Sequence, residues 1–392
     1  MQSKAVSSLR SATAVQNLQI NAAPGKNTLT KGGGVQGKTT GKSEPNFPEL
    51  MKISPISKLL VLTLAVGVLL AQTASALVTI ETVPVGNAGN AADTTGYGAV
   101  AYDYAIGKYE VTLNQYSEFL NAVAATDTYG LYNVNMGTDL NSAGIARSGV
   151  SGSYTYSVIG SGNRPVTYVS WYDSARFVNW LHNGQPVGLQ AAGTTETGAY
   201  TLTGNSGLIT RNSGWLYGLP SENEWYKAAY HQPAAQGGDS DDYWLYPTAN
   251  NAIPNSRNGS VSDPNSANFY RDDSIANGFN DGYALSGSTV GSASQNYLTD
   301  AGTFSLTSSY YGTFDQGGNA MEWNDAIIRG VTRGLRGGAW GFDEIFLRAS
   351  DRTQFVPADE GSITGFRVAI VPEPSVAGLM GLGIIVLAWK RK

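Results

Sequence analysis

Oxygen-bearing side chains are the plentiful source of chemistry in this sequence. The 392 residues contain 30 Asp and Glu, no cysteine and only two histidines, His182 and His231. The lack of cysteine excludes disulfides, thiol nucleophiles, zinc–thiolate sites and iron–sulfur clusters, and two histidines cannot form a three-histidine metal site. Carboxylates and amide oxygens in glycine-rich loops are instead ligands that calcium prefers. The alternative is that these Asp and Asn residues make local turns.

Other catalytic patterns are absent from the sequence. It has no phosphate-binding loop, no glycine-rich dinucleotide turn after a strand and no serine nucleophile elbow. Glu222 and Glu224 lie close enough to suggest a glycosidase pair, but their place at a helix start favours capping and helix-dipole roles. The late arginines are expected to pair with carboxylates; they are Arg336, Arg348, Arg352 and Arg367.

The charge balance excludes one class of partner. The formal net charge is -5, but residues 77–371 alone carry 14 Lys and Arg against 27 Asp and Glu, a net of -13. Because nucleic acids are bound mainly through their phosphates, such an acidic domain is not expected to bind them.

The N-terminal residues are predicted to lie outside the folded domain. Residues 1–50 are polar and glycine-rich, which is typical of a disordered extension. Residues 51–76 have a basic start, an apolar run and the small-residue pattern Ala74-Ser75-Ala76, which together predict a secretory signal peptide. Since a signal peptide normally begins a chain, we expect translation to start at Met51. A long leading region before the signal peptide is the alternative.

The C-terminal residues 372–392 combine Pro372-Glu373-Pro374, an apolar run over 376–389 and the basic end Lys390-Arg391-Lys392. This order resembles the PEP-CTERM sorting signal of Gram-negative bacteria. The resemblance implies recognition and cleavage by an exosortase, transient association of residues 376–389 with the inner membrane, and delivery to the cell surface or extracellular matrix. A plain tail anchor is the alternative, although Pro-Glu-Pro has no role in an anchor.

Three capping boxes predict three helices. Thr112 with Gln115, Ser170 with Asp173, and Ser221 with Glu224 each have the spacing in which two side chains satisfy backbone groups reciprocally. Apolar residues follow each cap at helical spacing; they are Tyr116, Phe119, Leu120 and Val123, then Phe177, Trp180 and Leu181, then Trp225, Ala228 and Ala229.

The remaining segments predict short strands and irregular backbone. Strands are expected at 153–158, 200–203 and 366–370. Residues 231–310 show little periodicity, so bound cations are the expected means of holding them in place of a core. The pattern favours an α+β fold with few helices.

A set of motifs in fixed order resembles a known family. They are Ile106-Gly107-Lys108-Tyr109-Glu110-Val111-Thr112, Val169-Ser170-Trp171-Tyr172-Asp173, Gly218-Leu219-Pro220-Ser221-Glu222-Asn223-Glu224-Trp225, Gly317-Gly318-Asn319-Ala320-Met321-Glu322-Trp323, Leu335-Arg336-Gly337-Gly338-Ala339-Trp340 and Gly365-Phe366-Arg367. Over residues 100–370 the chain is similar to the sulfatase-modifying-factor domain of formylglycine-generating enzymes. The resemblance implies a C-type-lectin-like α+β fold over 77–371 with much irregular structure.

The activity of that family does not transfer to this chain. Formylglycine generation uses a copper-binding cysteine pair, and the thiolate that holds copper and activates oxygen has no substitute here. The related iron-dependent sulfoxide synthases need three histidines, so neither copper nor iron is expected. The resemblance does imply two calcium sites. One maps onto Asn268, the Phe269 carbonyl, Asp281 and the Tyr283 carbonyl; the other maps onto Asp315, the carbonyls of Gly318 and Ala320, and Glu322.

Taken together, these features predict an exported, calcium-stabilised binding or structural module of the bacterial surface. An extracellular polysaccharide is the candidate ligand, by analogy with lectin-like folds. The alternative is an enzyme with non-cysteine chemistry in the same groove.

Overall fold

The computed structural model describes residues 77–202, 208–257 and 263–371. The predicted extension 1–50, signal peptide 51–76 and sorting segment 372–392 lie outside the described residues and stay predictions. Across the described ranges, no helix is both long enough and apolar enough to cross a bilayer.

Helices form a minor part of the described chain. They are α1 (Leu113–Val123), α2 (Asn135–Thr138), α3 (Trp171–His182) and α4 (Glu222–Tyr230), with 3-10 turns at Ala234–Gln236 and Glu344–Leu347.

The three predicted capping boxes are all present. Thr112, Ser170 and Ser221 are the N-caps of α1, α3 and α4, and each accepts a hydrogen bond from the backbone amide three residues on. In each box the side chain at that third position reaches back to the cap amide. Local sequence therefore fixes where these helices begin.

The strands are short, as expected. They are β1 (Thr82–Val85), β2 (Tyr104–Gly107), β3 (Ile145–Ser148), β4 (Thr155–Val158), β5 (Tyr217–Gly218), β6 (Asn255–Ser256), β7 (Ser266–Ala267), β8 (Tyr270–Asp272), β9 (Asp281–Tyr283), β10 (Met321–Ile328), β11 (Thr332–Arg336), β12 (Thr353–Phe355), β13 (Thr364–Phe366) and β14 (Ala369–Ile370).

Two four-stranded sheets organise the domain. The first has the order β1-β2-β14-β5, so the last strand is central and pairs antiparallel with β2 near the start of the domain. The second has the order β12-β11-β10-β13, in which β10 and β13 run parallel. With few helices and many short strands, the structure confirms the α+β class. The finer expectation of a C-type-lectin-like arrangement stays a prediction.

The main core lies between the helices and the second sheet. Every apolar residue predicted for the inner faces of α1 and α3 is buried, and these side chains pack with Trp323, Leu335 and Phe366 from the sheet. The predicted inner face of α4 is buried as well, in two smaller clusters around Trp225 and Ala228. Burying these large aromatic and aliphatic groups is the main driving force for folding.

Residues 231–310 contain packing and hydrogen bonds that the sequence did not predict. Tyr246, Ala267 and Phe269 pack with Leu347 in a small apolar cluster. The Oγ of Ser256 donates to the Phe269 carbonyl at 2.5 Å, and the Ser256 amide donates to Asn280 Oδ1 at 2.9 Å. The described part of this tract therefore has a local core and side-chain-to-backbone hydrogen bonds of its own.

Two of the predicted strands were wrong in detail. Tyr200 is not in a strand, because its backbone amide and carbonyl both bond to the Asn179 side chain, at 2.8 and 3.0 Å. The predicted strand 366–370 is divided into β13 and β14 at Arg367, whose side chain is fully buried. The predicted strand 153–158 is confirmed over Thr155–Val158 as β4.

The α3 cap gives a first prediction. Replacing Ser170 by Ala removes the hydroxyl that accepts from the Asp173 amide at 3.1 Å and leaves that amide unsatisfied. We expect the free energy of unfolding to fall by about 1–2 kcal/mol, measured by chemical denaturation. The exposed Ser286→Ala variant is the matched control and should leave the denaturation midpoint unchanged. Equal losses in the two variants would contradict the assigned role of the cap.

Candidate metal centre

The loop that enters β10 is wound tightly against a neighbouring segment. Asp315, Gly318 and Asn319 all have positive φ values, at 58°, 85° and 59°. A Cβ added to Gly318 would lie 2.2 Å from the Asn268 carbonyl oxygen, so only glycine fits there. The Asn319 amide donates to that same carbonyl at 2.8 Å. This close approach brings the loop holding one predicted ligand set next to Asn268 of the other set.

Glu322, the second residue of β10, is fully buried and bonded to a buried arginine. Its Oε2 and Oε1 accept from Arg367 Nε and Nη2 at 2.5 and 2.6 Å. Trp225 Nε1 donates to Oε2 as well, at 2.7 Å. The other donors of Arg367 bond to the Gly107 and Phe314 carbonyls, each at 2.9 Å. A bidentate, fully hydrogen-bonded pair is the arrangement in which a buried ion pair can be tolerated.

Two more carboxyl groups, those of the buried Glu110 and the partly exposed Asp315, lie in the electrostatic field of this pair. Glu110 Oε1 accepts from the Ala320 amide at 3.3 Å, and Oε2 accepts from Asn319 Nδ2 at 3.4 Å. Asp315 Oδ2 accepts from the Gly302 amide at 2.6 Å. We call Glu110, Asp315, Glu322 and Arg367 the buried charge cluster.

The buried charge cluster has more carboxyl groups than it can keep ionised. Burial raises the pKa of Glu110 well above its usual range, and the charges of Asp315 and Glu322 raise it further against the opposing effect of Arg367. Burial also raises the pKa of Asp315 to about 6, against the lowering effects of the Gly302 amide and Arg367. Three carboxylates facing one guanidinium leave an excess negative charge, which is costly in a dry interior unless protons or a cation neutralise it.

The second predicted ligand set therefore includes a carboxylate that is already paired with an arginine. Asp315, Gly318 and Ala320 lie on the loop that enters β10, whereas Glu322 lies in β10 itself, and both of its carboxylate oxygens already bond to Arg367. Glu110 lies within the first family motif, but no local pattern in the sequence assigned it a role at this site. Its position was the available sequence signal. Glu110 directly precedes Val111 and the α1 cap, both part of the packed domain, so its carboxyl group is buried rather than solvated.

The first predicted ligand set is assembled by a hairpin. β8 begins directly after Phe269 and pairs with β9, which contains Asp281 and Tyr283. The carbonyl of Phe269 accepts from Ser256, Asp281 Oδ2 accepts from the Gly278 amide at 2.8 Å, and the Tyr283 carbonyl accepts from the Gly287 amide at 2.8 Å. Asn268 is buried, and its Nδ2 donates to the Tyr297 carbonyl at 2.8 Å. The Phe269 and Tyr283 carbonyls and the Asp281 carboxylate thus accept local hydrogen bonds, and Asn268 is held through its Nδ2.

The donor chemistry of both sets fits calcium. The proposed ligands are carboxylate, amide and backbone oxygens, which is the mixture that calcium takes. Within residues 77–202, 208–257 and 263–371, no three His, Asp or Glu side chains converge as a metal-holding group. A cation at either set would therefore depend on backbone and amide oxygens as well as on carboxylates.

The two histidines lie at helix ends and have structural partners there. His182 is the last residue of α3, and its Nδ1 accepts from the Leu216 amide at 3.1 Å. His231 is the C-cap of α4 and bonds through Nδ1 to the Tyr311 hydroxyl at 2.7 Å. Burial and the nearby Lys227 charge lower the pKa of His231 to about 4, so it stays neutral at physiological pH.

The predicted pairing of the late arginines is confirmed for three of the four. Arg336 and Arg352 both bind Glu222, and Arg367 binds Glu322. Arg348 instead donates through Nε to the Tyr246 hydroxyl at 3.0 Å. Glu224 completes the α4 capping box and pairs with Arg211, which confirms its predicted capping role.

Comparison with protein families gives two matches. Residues 74–371 match the family described as the sulfatase-modifying factor enzyme 1-like domain, and residues 371–392 match the PEP-CTERM protein-sorting motif. The comparison with curated proteins finds no match.

Solved structures with similar folds share low identity with this chain. CarF is 20% identical, with a TM-score of 0.43 and coverage of 76% of this chain and 100% of its own. Treponema denticola variable protein 1 is 18% identical, with a TM-score of 0.39 and coverage of 75% and 96%. PvdO from Pseudomonas aeruginosa is 18% identical, with a TM-score of 0.37 and coverage of 75% and 92%.

The buried charge cluster gives a second prediction. Arg367→Met removes the guanidinium and leaves Glu322 buried without its counter-ion, so we expect a loss of about 3–5 kcal/mol in the free energy of unfolding. Arg367→Lys keeps the charge but not the two-point geometry and should lose less. Arg348→Met, which removes an arginine outside the cluster, is the control in the same denaturation experiment. Similar losses for Arg367→Met and Arg348→Met would refute a special role for the cluster.

Proposed function

This chain belongs to the family of the sulfatase-modifying factor enzyme 1-like domain, and we propose that it is an exported, calcium-stabilised binding or structural module on that scaffold. On this proposal it is not an oxidase of the formylglycine-generating type. Its setting is the bacterial surface or extracellular matrix, and an extracellular polysaccharide is the proposed ligand class.

The observation that carries the proposal is the absence of cysteine from a sequence that contains the whole matched domain. The match covers residues 74–371, and no cysteine occurs at any of the 392 positions. Oxygen activation through a soft copper thiolate requires that side chain. The framework motifs are retained while the reactive residue type is missing, which favours a binding or structural role.

The sorting motif supplies the destination. A PEP-CTERM motif at residues 371–392 implies processing by an exosortase and export to the cell envelope of a Gram-negative bacterium. We propose further that residues 376–389 hold the chain at the inner membrane only until processing. Release to the surface or matrix would then place the acidic domain in the external medium.

Excess negative charge supports a cation at the second ligand set. Asp315 and Glu322 would be its side-chain ligands, with the carbonyls of Gly318 and Ala320. When bound, calcium would supply positive charge to a cluster in which one guanidinium faces three carboxyl groups. Neutralising that excess would let Asp315 ionise without the cost of an uncompensated buried charge.

A cation at the first ligand set would cross-link two strands. Asn268, the Phe269 carbonyl, Asp281 and the Tyr283 carbonyl join the start of β8 to β9 across a hairpin. Asp281 is partly exposed, which gives a cation a route from solvent. A calcium ion there would hold the tract 263–283 beyond what its short strands achieve alone.

Calcium removal tests the proposal directly. After EDTA treatment and desalting, we expect the melting temperature to fall, and calcium at about 100 times its Kd should restore about 2.7 kcal/mol of stability. Differential scanning calorimetry with magnesium as the comparison ion measures this effect. Identical melting curves with and without calcium would rule out the calcium part of the proposal.

Asp315→Asn separates charge from ligation. The folded-state pKa of Asp315 is raised, so the native state keeps a proton that the unfolded chain loses as pH rises from about 4 to about 6. Stability from this group is therefore lost over that window and stays lost above it. We expect metal-free Asp315→Asn to be more stable than the native sequence at pH 7.5, yet to gain less from added calcium. Asp103→Asn, a change at an exposed aspartate outside both ligand sets, is the control and should alter neither quantity.

A further inference from the structure

Four aromatic rings form a continuous row beside the β8–β9 hairpin. The ring of Tyr270 meets that of Tyr283 edge-on at 4.9 Å between centroids. Tyr283 lies 4.6 Å from Tyr297, and Tyr297 stacks on Trp340 at 4.8 Å with only 8° between the ring planes. Tyr270, Tyr283 and Trp340 are partly exposed, whereas Tyr297 is buried. We call these four side chains the aromatic row.

The aromatic row is fixed in place by backbone hydrogen bonds. The Tyr297 hydroxyl accepts from the Ser292 amide at 2.8 Å, and Trp340 Nε1 donates to the Ser362 carbonyl at 3.2 Å. The Tyr270 amide donates to the Phe342 carbonyl at 2.9 Å, which ties β8 to the segment after Trp340. Rings held in this way lose little conformational entropy when a ligand stacks on them.

Carboxylates lie on the same face as two of these rings. Tyr270 is directly opposite Tyr283, and Asp272 is directly opposite Asp281. Residues two apart on a strand, and residues directly opposite across a pair, share one face of a sheet. The hairpin therefore presents two tyrosines and two aspartates on one face.

An open cleft adjoins this face. Its volume is about 430 Å³, and its lining includes Asp272, Ser274, Asp281, Ser288 and Thr289. Neither the described lining of the cleft nor the aromatic row contains Lys or Arg. The neighbouring Arg271 alternates to the opposite face of β8, where its Nη1 donates to the Pro254 carbonyl at 3.2 Å.

We propose that the aromatic row and the adjoining cleft bind an uncharged saccharide. Aromatic rings stack on the C–H faces of sugar rings, and the carboxylate and hydroxyl groups of the cleft accept and donate hydrogen bonds to sugar hydroxyls. The exposed Asp272 carboxylate is the principal acceptor. The negative charge of the cleft disfavours acidic glycans and phosphates. This inference rests on the proposed binding function and names its ligand class and surface.

Affinity electrophoresis tests the proposal. The purified chain is run in native gels containing dextran, mannan or xylan as neutral probes, and alginate as an acidic probe. We expect retardation by at least one neutral polysaccharide and none by alginate. Trp340→Leu and Asp272→Asn should each weaken that retardation about 10-fold in apparent affinity. Trp244→Leu is the matched control, because Trp244 is a partly exposed tryptophan outside the aromatic row.

The outcomes separate this site from the rest of the proposed function. Retardation by none of the neutral polysaccharides, retardation only by alginate, or retardation unchanged by Trp340→Leu and Asp272→Asn would each overturn the site. Asp272 is exposed, so Asp272→Asn keeps the test valid if Trp340→Leu fails to fold. A dimer that Trp340→Leu dissociates, measured by sedimentation velocity, would instead assign the row to self-association and overturn the saccharide. Asp281 and Tyr283 belong to both proposed sites, but the calcium experiment measures melting and the gels measure retardation. Retardation by a neutral polysaccharide together with unchanged melting would therefore remove the calcium proposal and leave the saccharide site standing.

Discussion

The ion pair between Glu322 and Arg367 connects parts of the domain that are far apart in the sequence. Arg367 lies between β13 and β14 and bonds to the carbonyl that ends β2, to the Phe314 carbonyl and to Glu322 on β10. Through Glu322 the pair also reaches Trp225 on α4. Both sheets, one helix and the loop entering β10 therefore converge on a single guanidinium. Because that group is completely buried, each of its N–H donors needs a hydrogen-bond acceptor within the protein.

The ion pair also lies beside further carboxyl groups on the neighbouring segments, which leaves an excess of negative charge. Glu110 and Asp315 add two carboxyl groups to a site where one positive charge is already committed. Without a cation, burial and the neighbouring negative charges raise the pKa of both groups, so they hold their protons to a higher pH than solvated carboxyl groups do. On the function proposed above, a divalent ion would neutralise this excess charge, with Asp315 and Glu322 as its side-chain ligands. Part of the domain's excess of acidic residues thus lies in this cluster, where the uncompensated charge lowers stability. The rest is spread over the surface.

Sequence predicted those features that depend on residues close together along the chain. The three capping boxes lie within four residues each, and all three helices begin where predicted. Features that depend on distant partners were missed. Glu110 bonds to Ala320, which is 210 residues away, and Asn179 occupies the backbone of Tyr200. Arg367 interrupts a strand-like run because its side chain has a buried partner, which no local pattern of apolar residues reveals. The motif resemblance recovered the family and the loop around β10, since it carries long-range information that periodicity lacks.

The central place of β14 in the first sheet bears on how the chain reaches its folded state. The contact between Arg367 and Gly107 joins residues 260 positions apart, and non-local closures of this kind slow folding. Until β14 is available, β2 and β5 have no strand between them and expose unpaired edges. The sorting motif begins directly after this strand. Cleavage on the C-terminal side of β14 leaves the first sheet intact. Cleavage a few residues upstream would remove β14 from the middle of that sheet. The fold itself thus defines the upstream limit for proteolytic maturation.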